Sequence, residues 1–105
     1  MYIVVFVTVK DKDEAEKIAA HLVKNKLAAC VNIVPGVSSV FWWENKIDQA
    51  SEVLLIVKTK KALFKKLAAA VKKTHSYSVP EIIALPIIDG NKDYLNWIRE
   101  SVAKQ

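Results

Sequence analysis

His75 and Glu81 stand in the segment HSYSVPEIIALPIIDGNKDYLNWI, His75 to Ile98, where Tyr77, Asp89, Tyr94 and Trp97 also bracket an apolar run. A neutral imidazole is the commonest protein ligand for copper or zinc, and a carboxylate adds a hard oxygen. His75 with Glu81 is therefore the candidate metal-binding pair. His75 also lies just past an expected helix, where an imidazolium would gain about 0.3 to 1 kcal/mol from the helix C-terminus. Both roles remain open for it. Isolated carboxylates such as Glu81 and Asp89 are usually solvated when nothing pairs with them.

Cys30 is the single cysteine, set in the apolar stretch AACVNI. A free thiol there is either a small hydrophobe or a soft ligand for copper, and a multi-thiolate site would need several chains. Trp43, Tyr77, Tyr94 and Trp97 suit stacking on a flat ligand or filling a boundary between subunits. Lys58 and Thr59, at an expected strand-to-helix step, offer an ammonium and helix amides to an anion, or an N-cap beside a solvated lysine. His21 has Lys17, Ile18, Lys24 and Asn25 as helical neighbours, none of them a strong ligand, so it reads as a surface or boundary residue.

Catalysis is not expected. Cys30 and His75 carry no local nucleophile signature, and there is no Walker loop, dinucleotide fingerprint or His-Glu-x-x-His. An acylphosphatase-like site would want an arginine on a phosphate loop, but Arg99 falls in the expected last helix. No organic cofactor is implied.

With 105 residues and 52% hydrophobic content the chain is expected to be one domain over 1–105, with little linker material. The formal charge of +5 comes mostly from lysines interleaved with acids, with a single arginine. That pattern fits a solvated surface better than a nucleic-acid reader. The apolar start, MYIVVFVTV, is too short for a bilayer and lacks a basic leader or cleavage pattern. No membrane contact and no nucleic acid are expected, and one lone cysteine fits the cytoplasm.

Periodicity supplies the elements that must position these groups. Tyr2 to Val9 is a β-branched and aromatic run suited to a strand buried on both faces. Asp11 then caps a helix carrying Ala15, Ile18, Ala19, Leu22 and Val23 at helical spacing, with Glu14 in capping-box position. Ala28 to Val34 forms a second strand, Pro35-Gly36 a turn, and Val37 to Trp43 the returning strand. Glu52 to Lys58 is a further strand, and a second amphipathic helix starts near Thr59 with Leu63, Leu67, Ala70 and Val71 inward. Glu81 to Ile88 is the last strand, broken by Asp89-Gly90-Asn91 before a short helix through Tyr94, Leu95, Ile98 and Val102.

This order is the α+β, ferredoxin-like βαββαβ sandwich with an extended central hairpin and an added C-terminal helix. Two helices cover one sheet face, leaving the other in need of a partner. Trp42 and Trp43, adjacent on a strand, point to opposite faces, so one indole turns away from the helices. A neighbouring subunit is the economical cover, with the hairpin adding strands to an adjacent sheet.

The segments LAACVNIVPGVSSVFWWENKI (27–47), EVLLIVKT (52–59), HSYSVPEIIALPI (75–87) and the closing GNKDYLNWI resemble the CutA divalent-cation tolerance family across essentially the whole chain. The resemblance implies a homotrimer of ferredoxin-like subunits, PII-like in architecture, with clefts between subunits. It also implies copper(II) binding and a role in tolerance of divalent metal ions, without a catalytic mechanism. Where the family commonly has His-Pro-Tyr this chain has Ser76, which leaves the backbone beside His75 less restrained. Asn45 stands where the family commonly has a glycine turn, and Asn tolerates the left-handed conformation such a turn needs. The leading expectation is a copper(II)-binding or similar divalent-metal-binding trimer using nitrogen and oxygen ligands near an intersubunit cleft. The alternative is a PII-like signalling or adaptor trimer that binds a small anionic ligand, through Lys58, Thr59 and nearby aromatics, or a protein partner.

Overall fold

The computed structural model describes residues 1–104. Strand β1 (Tyr2–Val9) is followed by α1 (Lys12–Lys24), β2 (Cys30–Trp43), β3 (Lys46–Lys60), a 3-10 turn (Lys61–Leu63), α2 (Phe64–Thr74), β4 (Ile82–Pro86) and α3 (Lys92–Ser101). The strands form one antiparallel sheet in the order β2-β3-β1-β4. That is the expected ferredoxin-like α+β arrangement, with α3 appended.

Alternation along the central strands sorts the side chains into a core face and an open face. Ile3, Val5, Val7 and Val9 of β1 and Val53, Leu55 and Val57 of β3 are buried, and Ile18 and Leu22 of α1 and Leu67 and Val71 of α2 pack on them. α3 closes one end through Ile98 and Val102 against Ala29 and Leu63. The other register of the sheet carries Val4, Phe6, Val34, Ile56, Ile83 and Leu85, and none of them is buried. β1 is thus fully buried on one face only, contrary to the reading of its continuous apolar run.

The central hairpin is longer than its sequence suggests. Pro35-Gly36 does not reverse the chain; it forms an irregularity between Val34 and Val37 inside one 14-residue strand, with Gly36 at φ 76°. A bulge bends a strand without ending it, and a left-handed glycine suits that geometry. The reversal comes at Glu44 and Asn45, with φ of 50° and 65°. Two consecutive left-handed residues give the tight turn whose twist matches a two-stranded ribbon. Asn45 therefore keeps the turn without glycine, and the hairpin helps stretch the molecule to 44 Å.

Two helix boundaries also differ in a way that matters for the site. The Asp11 carboxylate accepts from the Glu14 amide at 2.9 Å, as expected for an N-cap. The Glu14 side chain reaches His75 and Ser76. α2 begins at Phe64 after the 3-10 turn, not near Thr59, which is the penultimate residue of β3. β4 is shorter than expected, so Glu81 precedes it.

Candidate functional site

His75 occupies the C-cap of α2, its amide donating to the Val71 carbonyl at 2.9 Å. Its extended backbone (φ −78°, ψ 139°) turns the chain away from the helix. The side chain is fully buried. Nε2 lies 2.8 Å from the Thr8 carbonyl of β1, and Nδ1 lies 3.0 Å from the Tyr77 amide. A carbonyl only accepts and an amide N–H only donates, so these contacts require the neutral Nε2–H tautomer with the Nδ1 lone pair facing Tyr77. Glu14 Oε1 stands 3.4 Å from the same Nδ1 and accepts from the Ser76 amide at 3.4 Å.

This geometry bears on the metal role expected of His75. Both ring nitrogens are engaged inside the chain, leaving no lone pair for an ion. Nor does Ser76 leave the ring unheld: strand, helix and loop all contribute a contact.

Tyr77 links His75 to the carboxylates. Its ring sits 4.7 Å from the imidazole, and its hydroxyl donates to Glu52 Oε2 at 2.9 Å. Glu52 is only 8% exposed, so that phenol is its internal partner. Burial first, then the hydrogen bond to Glu52 and the charges of Glu52, Glu14 and Asp11, push the Tyr77 phenol up to about 12. Glu81 is also held above the ordinary carboxylate range, by partial desolvation and then by the charge of Glu52. The two carboxylates repel each other across an open groove of about 900 Å³ whose walls include Thr8, Tyr77, Trp42 and Trp43.

The groove brings together Trp43, Tyr77 and Glu81 from the expected set and adds Glu52, while Glu14 contacts His75 and Ser76. Glu52 opens the apolar run EVLLIVKT in register with Leu54 and Ile56, and its one local mark is a charge at the head of an apolar strand. Glu14 carried no such mark, since its sequence position fits a capping box.

The remaining candidates lie at the other end of the sheet. Cys30 and Lys58 are cross-strand partners, with Lys58 Nζ 3.9 Å from Sγ. Tyr94 sits beside the thiol, and burial followed by its interaction with Cys30 raises the phenol. The Tyr94 and Trp97 rings are 5.4 Å apart. Val4 pairs with Lys58 and Thr8 with Leu54, so the two ends are separated by four residues of β1, about 13 Å. Cys30 therefore cannot share an ion with Glu81 in one chain.

Thr59 belongs to neither group. It is fully buried, and its hydroxyl donates to the Leu27 carbonyl at 2.7 Å. As strand neighbours, Lys58 and Thr59 point to opposite faces, and the helix amides begin several residues later. The expected anion site at Lys58-Thr59 is not formed. His21 is exposed, as expected, beside Asn25. Among the described residues no group of three or more His, Cys, Asp or Glu side chains is placed to hold a metal ion. No helix among them is long and apolar enough to cross a membrane.

The sheet order and the two packed helices place the chain among ferredoxin-like α+β domains. Residues 3–101 match the family described as CutA1 divalent ion tolerance protein, and the chain belongs to that family. It is 50% identical to the divalent-cation tolerance protein CutA of Thermus thermophilus, over 93% of this chain and 95% of that one. It is 52% identical to the chloroplastic protein CutA 1 of Oryza sativa subsp. japonica, over 94% of this chain. The chain spans little more than half the length of that plant relative, 56%. The solved structure of the Thermus thermophilus protein superposes with a TM-score of 0.96 at 48% identity, covering 98% of this chain and all of that one. The Archaeoglobus fulgidus CutA structure gives 0.95 at 47% identity, covering 98% and 100%.

Proposed function

We propose that the chain acts in tolerance of divalent metal ions by binding copper(II) or a similar divalent ion as a homotrimer, with Glu81 and Glu52 as the groove's oxygen ligands. The observation that carries this reading is the pair of carboxylates, Glu52 and Glu81, facing one groove, where burial and then the charge of Glu52 hold Glu81 above the ordinary carboxylate range. A divalent cation relieves that repulsion directly. Two carboxylates do not complete a coordination shell, and a neighbouring subunit at an intersubunit cleft is the source of further nitrogen or oxygen donors. The uncovered apolar sheet face supports such an assembly, as do the exposed Val40, Trp42 and Ile47 of the hairpin.

The reading is of a binding protein and not of an enzyme. Cys30 and His75 stand at opposite ends of the sheet, so thiol and imidazole do not form a nucleophile–base pair. The second reading, a PII-like adaptor, keeps only Lys58 with Tyr94 and Trp97 for an anionic ligand, since Thr59 is buried elsewhere. We place the protein in the cytoplasm on its lone, unpaired cysteine. The names of relatives differ on this point, one chloroplastic and one periplasmic.

The test is a copper(II), zinc and manganese titration of metal-stripped protein against a competing chelator, with oligomeric mass followed throughout. Saturable binding weakened at least about tenfold in Glu81→Gln, with the mass unchanged, supports the carboxylate assignment. Binding that survives Glu81→Gln and Glu52→Gln but is lost in Cys30→Ala overturns it.

A further inference from the structure

The contacts of the buried imidazole are mutually exclusive in one respect. Nδ1 has a single lone pair, and two groups face it: the Tyr77 amide at 3.0 Å, which can only donate, and Glu14 Oε1 at 3.4 Å, which can only accept while ionised. A neutral ring serves Tyr77 and leaves Glu14 to the Ser76 amide. A ring protonated at Nδ1 serves Glu14 and can no longer accept from Tyr77.

We propose that His75 is a proton-operated latch that holds the 75–81 segment, and with it the Tyr77 wall of the groove, against β1. In the closed state Nε2–H donates to the Thr8 carbonyl and Nδ1 accepts from the Tyr77 amide. On protonation the incoming proton takes the Nδ1 lone pair, Nδ1–H turns to Glu14, and the Tyr77 amide loses its acceptor. Nε2 keeps its bond to Thr8, so the ring stays docked while the segment after it is released. Tyr77 transmits the change because its hydroxyl holds Glu52 and its side chain lines both the large groove and the cavity against α2.

Few charged groups face the ring. Glu14 of α1 is the ionisable group in contact with the ring on that side, and β1 presents only the Thr8 carbonyl. From the following loop the ring meets Tyr77, which Asp11 and Glu52 also influence. On α2 the neighbouring Lys72 and Lys73 are exposed. The Glu14 side chain is 10% exposed, whereas that of His75 is fully covered, so Glu14 is also the route by which a solvent proton reaches Nδ1. The serine at 76 contributes as well, because a proline there would have no N–H to hold Glu14 in the closed state.

The latch does not depend on which ion the groove takes, and its test uses no metal. Nitrogen-15 spectra of the imidazole and hydrogen exchange of the Tyr77 amide are followed on the assembled protein from about pH 8 to about pH 5, the range in which histidines change charge. At the upper end the ring is expected as the Nε2–H tautomer. Across the imidazole titration the Tyr77 amide is expected to exchange about five- to tenfold faster, after correction for the intrinsic pH dependence, as for loss of one hydrogen bond. In Glu14→Gln, which keeps the Asp11 cap, Nδ1–H has no carboxylate to turn to, so the loss of Tyr77 protection over the same range is expected to be smaller. An Nδ1–H tautomer at the upper end, or Tyr77 protection that does not change as the ring titrates, overturns the proposal.

Discussion

The two ends of the sheet hold similar chemical groups in opposite arrangements. At the groove end, His75, Tyr77 and Glu52 form a chain of directed hydrogen bonds of 2.8 to 3.0 Å, with Glu81 and Glu14 at its margins. At the α3 end, Cys30, Lys58 and Tyr94 are neighbours, but the thiol contact to Lys58 is 3.9 Å. One end is a braced polar network with uncompensated negative charge over an open groove. The other is a looser group joined through the sulfur of Cys30. A list of metal-capable residue types would rank Cys30 and His75 together, yet what separates them is whether their lone pairs are already used.

This contrast predicts unequal costs. His75→Ala removes a fully buried ring and strands a carbonyl, an amide and a carboxylate, so it is expected to destabilise the protein by about 3 to 4 kcal/mol in urea denaturation. Tyr77→Phe leaves the buried Glu52 without its phenol and is expected to cost about 1 to 3 kcal/mol near neutral pH. It should also change the alkaline limb of stability. The folded Tyr77 phenol is raised to about 12 from 10.0, so its contribution is complete below pH 10 and is lost as pH rises through about 12. In Tyr77→Phe that part of the alkaline decline is expected to vanish from the stability profile.

Smaller effects sharpen the same comparison. Glu81 is raised by burial and by Glu52, so the folded state favours its neutral form. Its stabilising contribution is present below the unfolded carboxylate value of about 4.5 and is lost as pH rises through the higher folded value. Glu81→Gln is therefore expected to raise the melting temperature slightly at pH 7, with the gain disappearing in acid. Cys30→Ala at the far end is expected to change stability by about 1 kcal/mol or less, since it removes one half-buried sulfur and only its weak sulfur contacts to Lys58 and Tyr94.

The architecture was legible because strand and helix periods are strong local signals. The β1 run, the Asp11 cap and the inward residues of α2 each fixed an element, and their order is the ferredoxin-like one. The hairpin was misplaced because Pro-Gly is locally a turn signal, whereas pairing with β3 carries the strand through it as a bulge. Thr59 looked like a helix cap because a threonine after an apolar strand commonly is one, but its burial against Leu27 depends on a contact 32 residues away. Site legibility failed for the same reason. Nothing local to HSYSVPE tells that Thr8 and Glu14 will meet His75, so the sequence leaves a helix-end role and a ligand role both open for the imidazole. Glu52 was visible as a charge on an apolar strand, but its partner Tyr77 is 25 residues distant.

The most direct test of the carboxylate groove is to add substoichiometric copper(II) or manganese to isotope-labelled protein and map which resonances broaden. The account predicts broadening that is strongest at Glu52, Tyr77, Glu81 and Trp43 and falls off toward Cys30, Lys58 and Tyr94, about 13 Å away along the sheet. Broadening centred on Cys30 and Tyr94, with the Glu52 and Glu81 signals unchanged, would contradict it.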